Sequence, residues 1–375
     1  MRILMIGHKY VPSRDGGIEI VVDELSTRMV RLGHEVTLFN RKRKDYPNIS
    51  EYKGCKVKQI FTVNKKSLDA IVYSFFATLK ARRLMRKKKV DIIHFHAEGP
   101  CFFLNLLPKT KRRKGCKVIV TIHGLDWQRG KWGGFASKIL KSGEKKAVKY
   151  ADEIIVLSEN NKNYFKETYN RETIFIPNGV AEPNLVSSEI ISEKYGISSN
   201  EYILFLARIV PEKGLDYLID AWKQLSEENK KGKKLVIAGG ASHSSEYFNE
   251  VMNKISDDET IVATGFIQGK VLEELYSNAY LYVLPSDIEG MPMSLLEALS
   301  YGNTCLVSDI PENTSIINDS SFSFKKSDVE DLKNKLIEIL DKNILSHENK
   351  YIPYSWDYVV SKTLEKYKHS GNMSR

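Results

Sequence analysis

Two carboxylates eight positions apart, Glu289 and Glu297, frame the run Glu289-Gly290-Met291-Pro292-Met293-Ser294-Leu295-Leu296-Glu297. The run follows an apolar strand-like segment at 281–284, and Pro292 stands where a helix would begin. A helix starting there offers free backbone N–H groups and the positive end of its dipole, which together suit a phosphate. Gly290, Met291, Ser294 and Leu295 would line that seat. Glu297, about one turn in, is placed to accept hydrogen bonds from ribose hydroxyls, and Glu289 in the loop to meet a sugar. A surface loop carrying two unrelated acids would show the same pair.

A second group is Arg208-Ile209-Val210-Pro211-Glu212-Lys213-Gly214, at the end of another strand-like run. A guanidinium grips phosphate oxygens two at a time and an ammonium is a compact point charge. Converging on one site, Arg208 and Lys213 would stabilise the charge that develops on a departing nucleotide diphosphate; singly, each is an ordinary rim cation. A third group, His123-Gly124-Leu125-Asp126-Trp127, follows the run 117–122. Here His123 could hydrogen-bond a transferred sugar or handle a proton. Asp126 could be its partner, a helix cap or a contact to an acceptor sugar. His94 and His96 are weaker candidates that alternation along a strand would make wall residues. Gly16 and Gly17, in Arg14-Asp15-Gly16-Gly17-Ile18-Glu19, let backbone approach a ligand closely after the first strand. They do not form the G-x-G-x-x-G fingerprint, which removes the main support for a dehydrogenase. The sequence contains no Asp-x-Asp and no His/Cys/carboxylate cluster with ligand spacing, so no catalytic metal is expected.

The elements that must position these groups alternate. Strand-like runs at 2–6, 35–39, 56–61, 91–95, 117–122, 153–157 and 173–176 are separated mostly by helical patterns, and runs at 202–207, 234–238, 260–263, 281–284 and 304–307 repeat the scheme. That predicts two doubly wound parallel-sheet domains, Rossmann-like in the α/β class. Turn residues in Ile176-Pro177-Asn178-Gly179-Val180 place the boundary: residues 1–178 on the acceptor side, 179–355 on the nucleotide-sugar side, and a helix at 356–370 returning to the first domain. Ligands of such sheets bind at the carboxyl ends of strands, so two facing sheets imply an interdomain cleft.

Within 375 residues, 42% hydrophobic and 28% charged, the composition excludes a disordered or collagen-like chain. No apolar run approaches the roughly 20 residues a bilayer-spanning helix needs, and the first residues do not read as a secretory signal, so a cytoplasmic protein is expected. Cys55, Cys101, Cys116 and Cys305 are scattered, as reduced structural thiols would be. Charge is uneven: residues 1–180 hold 37 Lys+Arg against 17 Asp+Glu, net +20, and residues 181–375 are net −10. Basic clusters at 41–44, 86–89 and 111–114 point to a polyanion, either nucleic acid or an anionic membrane face, or serve solubility alone. No recognisable nucleic-acid module accompanies them. Ile71, Val72, Phe75, Phe76 and Leu79, followed by the cations of 80–89, suit an interfacial helix; a stripe packed on the sheet with only the cations in water is the more ordinary arrangement.

Together the elements R-x-x-x-E-K-G at 208–214, E-x(7)-E at 289–297, the junction 176–180, Gly16-Gly17 and Thr121-Ile122-His123-Gly124 resemble the retaining glycosyltransferases of family 4, which have the GT-B fold. The resemblance spans nearly the whole chain. It implies that Arg208 and Lys213 bind the diphosphate, Glu297 the ribose, Glu289 the donor sugar and His123 the sugar near its transfer site, with Phe266 in the loop 264–267 beside the base. His123 to Gln128 with Lys131-Trp132 is similar to a bacterial subgroup linked to surface polysaccharide assembly. The expectation is therefore a metal-independent, retaining hexosyltransferase with no cofactor beyond its nucleotide-sugar donor, UDP being the first choice. Its acceptor would be a saccharide, lipid-linked, presented at the inner face of the plasma membrane, with no nucleic-acid partner. A GT-B-like epimerase or phosphorylase, or a basic nucleic-acid-binding protein, are the competing readings.

Overall fold

The computed structural model describes residues 1–14, 16–65, 68–108, 115–128, 134–241, 245–342 and 353–368; Asp15, the cluster 111–114, Lys131 and Trp132 lie outside them. The chain divides into two compact units, Met1–Gly179 with Tyr354–Arg375, and Val180–Pro353.

In the first unit the strands are β1 (Arg2–Ile6), β2 (Glu35–Arg41), β3 (Glu51–Tyr52), β4 (Cys55–Ile60), β5 (Ile92–His96), β6 (Lys117–Ile122), β7 (Glu153–Val156) and β8 (Ile174–Phe175). They lie in the order β3-β4-β2-β1-β5-β6-β7-β8, parallel throughout except for the β3–β4 pair. β5 and β6 are buried at every position, the mark of a parallel strand covered on both faces. The order reverses between β1 and β5, which makes their carboxyl ends the crevice of this sheet.

The helix Trp356–Tyr367 belongs to this unit. Ser355 caps its start by accepting from the Tyr358 N–H at 3.2 Å. At its other end Lys117 Nζ donates to the Lys366 carbonyl at 2.6 Å, satisfying an orphan acceptor with a cation. Arg28 Nη1, from the helix Gly17–Arg31, reaches Asp357 Oδ1 at 2.9 Å. Gly179 is small of necessity, since a Cβ there would lie 2.8 Å from the backbone N and Cα of Trp356.

The helix Leu68–Arg86 corrects one expectation. Its aromatic stripe does not pack on the sheet; Tyr73, Ala77, Ala81 and Met85 do, while Phe75, Phe76 and Leu79 are exposed. Alanine every fourth residue lets the helix axis come close to the strands, and the larger stripe is left outside.

Beyond the two-residue β9 (Gly179–Val180), the second unit contains β10 (Tyr202–Leu206), β11 (Lys234–Ala238), β12 (Ile261–Gly265), β13 (Leu281–Leu284), β14 (Cys305–Ser308) and β15 (Ser323–Phe324). The sheet is parallel in the order β12-β11-β10-β13-β14-β15, so its switch point falls between β10 and β13. Helix Leu215–Lys223 shows how the sequence drives packing: Leu215, Leu218, Ile219 and Trp222, at i, i+3, i+4 and i+7, are all buried. Among the described residues no helix is long and apolar enough to cross a membrane.

Candidate active site

In the second unit, the loops that leave β10 and β13 meet at the switch point. Arg208 stands two residues beyond β10, and Lys213 closes the short 3-10 turn Pro211–Lys213. The Asp287 N–H donates to the Glu212 carbonyl at 3.0 Å, tying the loops together. Gly214 completes the join: its φ is +66°, and a Cβ would lie 2.0 Å from the Pro285 carbonyl oxygen. Lys213 Nζ is paired with Glu289 Oε1, which also accepts from Ser286 Oγ at 2.7 Å. The side chains of Lys213 and Glu289 are 12% and 7% exposed. Residues from separate sequence motifs therefore form one buried, charge-paired unit, where the sequence suggested separate contacts to diphosphate and sugar. The Arg208 side chain forms no hydrogen bond or ion pair with the described residues.

The helix expected near Pro292 runs Met293–Ser300, with Pro292 as its N-cap. Its first intrahelical bond is Leu296 N–H to the Pro292 carbonyl at 3.2 Å, so the N–H groups of Met293, Ser294 and Leu295 form the open first turn. The Leu295 side chain is fully buried in the core, so its backbone N–H is what it can offer a ligand. Gly290 is buried and Met291 half-buried ahead of that turn. Ser294 Oγ accepts from Tyr282 at 2.7 Å, and Glu297 Oε2 from Tyr276 at 3.1 Å, so two buried tyrosines hold the face of this helix. Phe266, just past β12, is exposed and lies against Gly240, where a Cβ would be 3.2 Å from the Phe266 Cβ. Gly239, one residue earlier, would place a Cβ 1.9 Å from the Ala207 carbonyl oxygen. The Gly-Gly pair at the end of β11 was missed in the sequence, although two glycines directly after an apolar strand are the same signal as Gly16-Gly17.

In the first unit Gly16 is the N-cap of Gly17–Arg31, and a Cβ on it would meet Glu19 Oε2 at 2.7 Å. Glu19 Oε1 accepts from the Lys9 N–H at 2.8 Å, which folds the loop after β1 back onto the helix start. His123, beyond β6, is half-buried and bonded through Nε2 to His96 Nδ1 at 3.1 Å. Behind it the rings of His96 and His94 lie 4.1 Å apart, and His94 bridges Tyr367 (2.6 Å) and Thr121 (2.7 Å). His94 and His96 are thus fully buried members of a histidine chain and not wall residues. Burial holds His94 down to about 3 and His123 to about 4, and His96 well below the usual range. At neutral pH His123 is an uncharged imidazole, able to hydrogen-bond a sugar but not to act as a cationic acid.

Asp126 lies in the 3-10 turn Asp126–Gln128 and is half-buried. The next residue anchors this loop: Trp127 Nε1 donates to Glu144 Oε2 at 2.8 Å. Glu144, fully buried, also accepts from Tyr164 at 2.9 Å and from Tyr169, and pairs with Lys141 at 3.0 Å. Lys141 Nζ sits 3.8 Å from the Trp127 ring centroid. Glu98, also fully buried, has neither oxygen bonded to an N–H or O–H group of the described residues. Burial, then the negative neighbours Asp126 and Glu144, push its carboxyl well above the usual carboxylate range. Sequence reading missed Glu98 and Glu144, because each owes its character to burial. Among the described residues no group of three or more His, Cys, Asp or Glu is arranged to hold a metal ion.

Two family models match adjoining stretches: Glycosyltransferase Family 4 over residues 15–182 and Glycosyl transferases group 1 over residues 187–355. The chain belongs to the family 4 glycosyltransferases, has the GT-B fold and is a sugar-transferring enzyme. It is 24% identical to an uncharacterised glycosyltransferase of Methanocaldococcus jannaschii, over 98% of each chain. It is 23% identical to the UDP-Gal:alpha-D-GlcNAc-diphosphoundecaprenol alpha-1,3-galactosyltransferase of Escherichia coli, covering 80% of this chain and 79% of that one. Among solved structures, HepE of Anabaena in complex with UDP and glucose matches with a TM-score of 0.77 at 16% identity, over 98% of this chain and 99% of that one.

Proposed function

We propose that the protein is a retaining, metal-independent hexosyltransferase that uses a UDP-sugar and extends a lipid-linked saccharide during assembly of a cell-surface polysaccharide, working in the cytoplasm at the inner face of the plasma membrane. The observation that carries the reading is the switch point of the second unit, where Arg208 and the Lys213–Glu289 pair stand on loops that leave neighbouring strands, with the helix start at Met293 following β13. Departure of a nucleoside diphosphate leaves charge on the phosphate oxygens. Arg208 can take two of them, Lys213 another, and the open N–H groups of the helix a fourth. An ammonium has three donors, so Lys213 can hold Glu289 and a phosphate oxygen together. Glu289 would be fixed against the donor sugar, and Glu297, steadied by Tyr276, would accept from the ribose. His123 would hydrogen-bond the sugar as a neutral imidazole, with Asp126 on the acceptor side.

A UDP donor and a lipid diphosphate acceptor draw support from the Escherichia coli relative, whose name specifies both, and the Anabaena protein was solved with UDP and glucose. The experiment is to incubate the protein, in EDTA, with UDP-, GDP- and dTDP-sugars and a lipid-linked saccharide, following nucleotide release and the anomeric proton of the first product. Transfer with the donor's configuration is expected. Loss of activity in EDTA that magnesium or manganese restores would remove the metal-independent assignment, and inversion the retaining one. An epimer or a sugar phosphate as the sole product would replace transfer with epimerase or phosphorylase chemistry.

A further inference from the structure

The helix Leu68–Arg86 turns its large apolar side chains to water. Leu68 is 47% exposed, Phe75 37%, Phe76 41% and Leu79 37%, and their spacing puts them on one stripe. Phe61, 55% exposed just after β4, joins them edge-on to Phe76 at 5.3 Å; Phe75 in turn meets Phe76 at 5.4 Å and Phe103 at 5.3 Å. Scattered exposed apolar residues are ordinary, whereas a contiguous aromatic cluster marks an interaction site. Toward the helix end the same stripe continues into exposed Arg83 and Arg86. Beside Phe61 lies a depression of about 400 Å³ lined also by Lys42, Arg43, Lys44 and Thr62. Arg43 is held by Asp45 and Asp69, while Lys42 and Lys44 are exposed.

We propose that this face docks on an anionic bilayer, with Phe61, Phe75 and Phe76 entering the boundary between headgroups and acyl chains and Lys42 and Lys44 taking lipid phosphates in the adjoining depression. The proposal rests on the membrane-side reading above and supplies the surface that reading lacks. Charge selects the occupant. Asp69, the one acid of this helix, is buried against Arg41 and Arg43, so the exposed stripe carries only positive charge. A second copy of the chain meeting this face with its own would bring like charges together, whereas anionic lipid neutralises them. Aromatic rings suit the interfacial zone, and the cations beyond them reach the headgroups.

Co-sedimentation with phosphatidylcholine vesicles, with and without phosphatidylglycerol, tests this in the full-length protein. Binding should require phosphatidylglycerol and weaken with salt. Two variants then separate the parts. Phe75→Ser with Phe76→Ser should lower vesicle affinity about tenfold or more at every salt concentration, and Lys42→Glu with Lys44→Glu should lower it about fivefold or more per residue at low salt. Both should melt as the parent does and still hydrolyse or transfer the donor sugar in detergent. Parent-like vesicle binding by the serine variant overturns aromatic docking, as does equal binding to neutral vesicles. A parent that sediments as a dimer, and a serine variant that becomes monomeric with unchanged vesicle binding, would assign the face to a second copy. Activity in detergent reports on the catalytic reading separately, so loss of one does not entail loss of the other.

Discussion

Acid should destabilise the first unit more than its carboxylates would suggest, because it folds around histidines that must stay neutral. His8 is fully buried, with Nε2 bonded to Asn40 Oδ1 at 2.9 Å, and burial lowers it to about 4; His94 is lowered to about 3 for the same reason. A lowered histidine binds its proton in the unfolded chain before the folded one. Its stability contribution is therefore complete above the unfolded value of about 6.5 and drains away as pH falls toward the folded value. Between pH 7 and pH 5 each of the two loses about 2 kcal/mol, roughly 4 kcal/mol together, against a typical total of about 5–15 kcal/mol. His96 acts in the same direction. Glu98 acts in the opposite one: its carboxyl is raised, so the folded state binds that proton first, and its contribution is present at low pH and lost as pH rises through the raised value. Urea unfolding followed by the first unit's tryptophans, at pH 7 and pH 5, should show the loss, and Glu98→Gln should enlarge it by removing the opposing titration. Proton NMR of the imidazole Cε1–H resonances checks the cause: two or more histidines should not titrate between pH 7.5 and pH 5. Stability that does not fall between pH 7 and pH 5, or eight histidine resonances all moving with midpoints near 6.5, would refute the reasoning.

Arg208→Ala and Lys213→Ala should each lower turnover by roughly 10²–10³ with the parent circular-dichroism spectrum, and near-normal kcat in both would remove the diphosphate assignment. Gly214→Ala should destabilise the second unit by about 2 kcal/mol or more in thermal unfolding, since it joins a positive φ to the 2.0 Å clash with Pro285. Glu144→Leu should cost roughly 2–3 kcal/mol, below the figure for a fully enclosed pair because Lys141 is 30% exposed, and should raise the acceptor KM more than the donor KM. Glu144→Gln, which still accepts from Trp127, should recover most of the acceptor KM; equal effects of both variants on the two KM values would make Glu144 merely structural.

The parallel strands were legible because burial on both faces writes them as unbroken apolar runs: β1, β6, β11 and β13 occupy the expected residues, β10 ends one residue earlier, and β14 is shifted by one residue. β3 and β15, two residues each, carry no such signature. Helix onset at Pro292 was legible from proline's fixed φ alone. What eluded the sequence is whatever needs two distant segments at once. The Lys213–Glu289 pair joins loops 76 positions apart, and His94 meets Tyr367 across 273. Neither partner's surroundings announce the other. Glu98 shows the same limit for charge, since an isolated glutamate reads as an exposed carboxylate until a structure shows what surrounds it.

The helix Leu68–Arg86 marks a different limit, because its periodicity was visible and still misled. Apolar residues at helical spacing define a stripe without stating where it points, and the usual inference sends the larger stripe to the core. Here two stripes compete. The one holding Tyr73, Ala77, Ala81 and Met85 packs on the sheet; its Tyr73 hydroxyl donates to the Phe39 carbonyl at 2.6 Å and accepts from the Gly7 N–H at 3.2 Å. Tyr73 thus links the helix to β2 and to the loop leaving β1 at the switch point. Rolling the helix to bury Phe75 and Phe76 would break both bonds and place Asp69, now held by Arg41 and Arg43, away from its cations. Polar anchoring therefore decides the face, and the aromatics are left outside by a balance that area burial alone would have settled the other way.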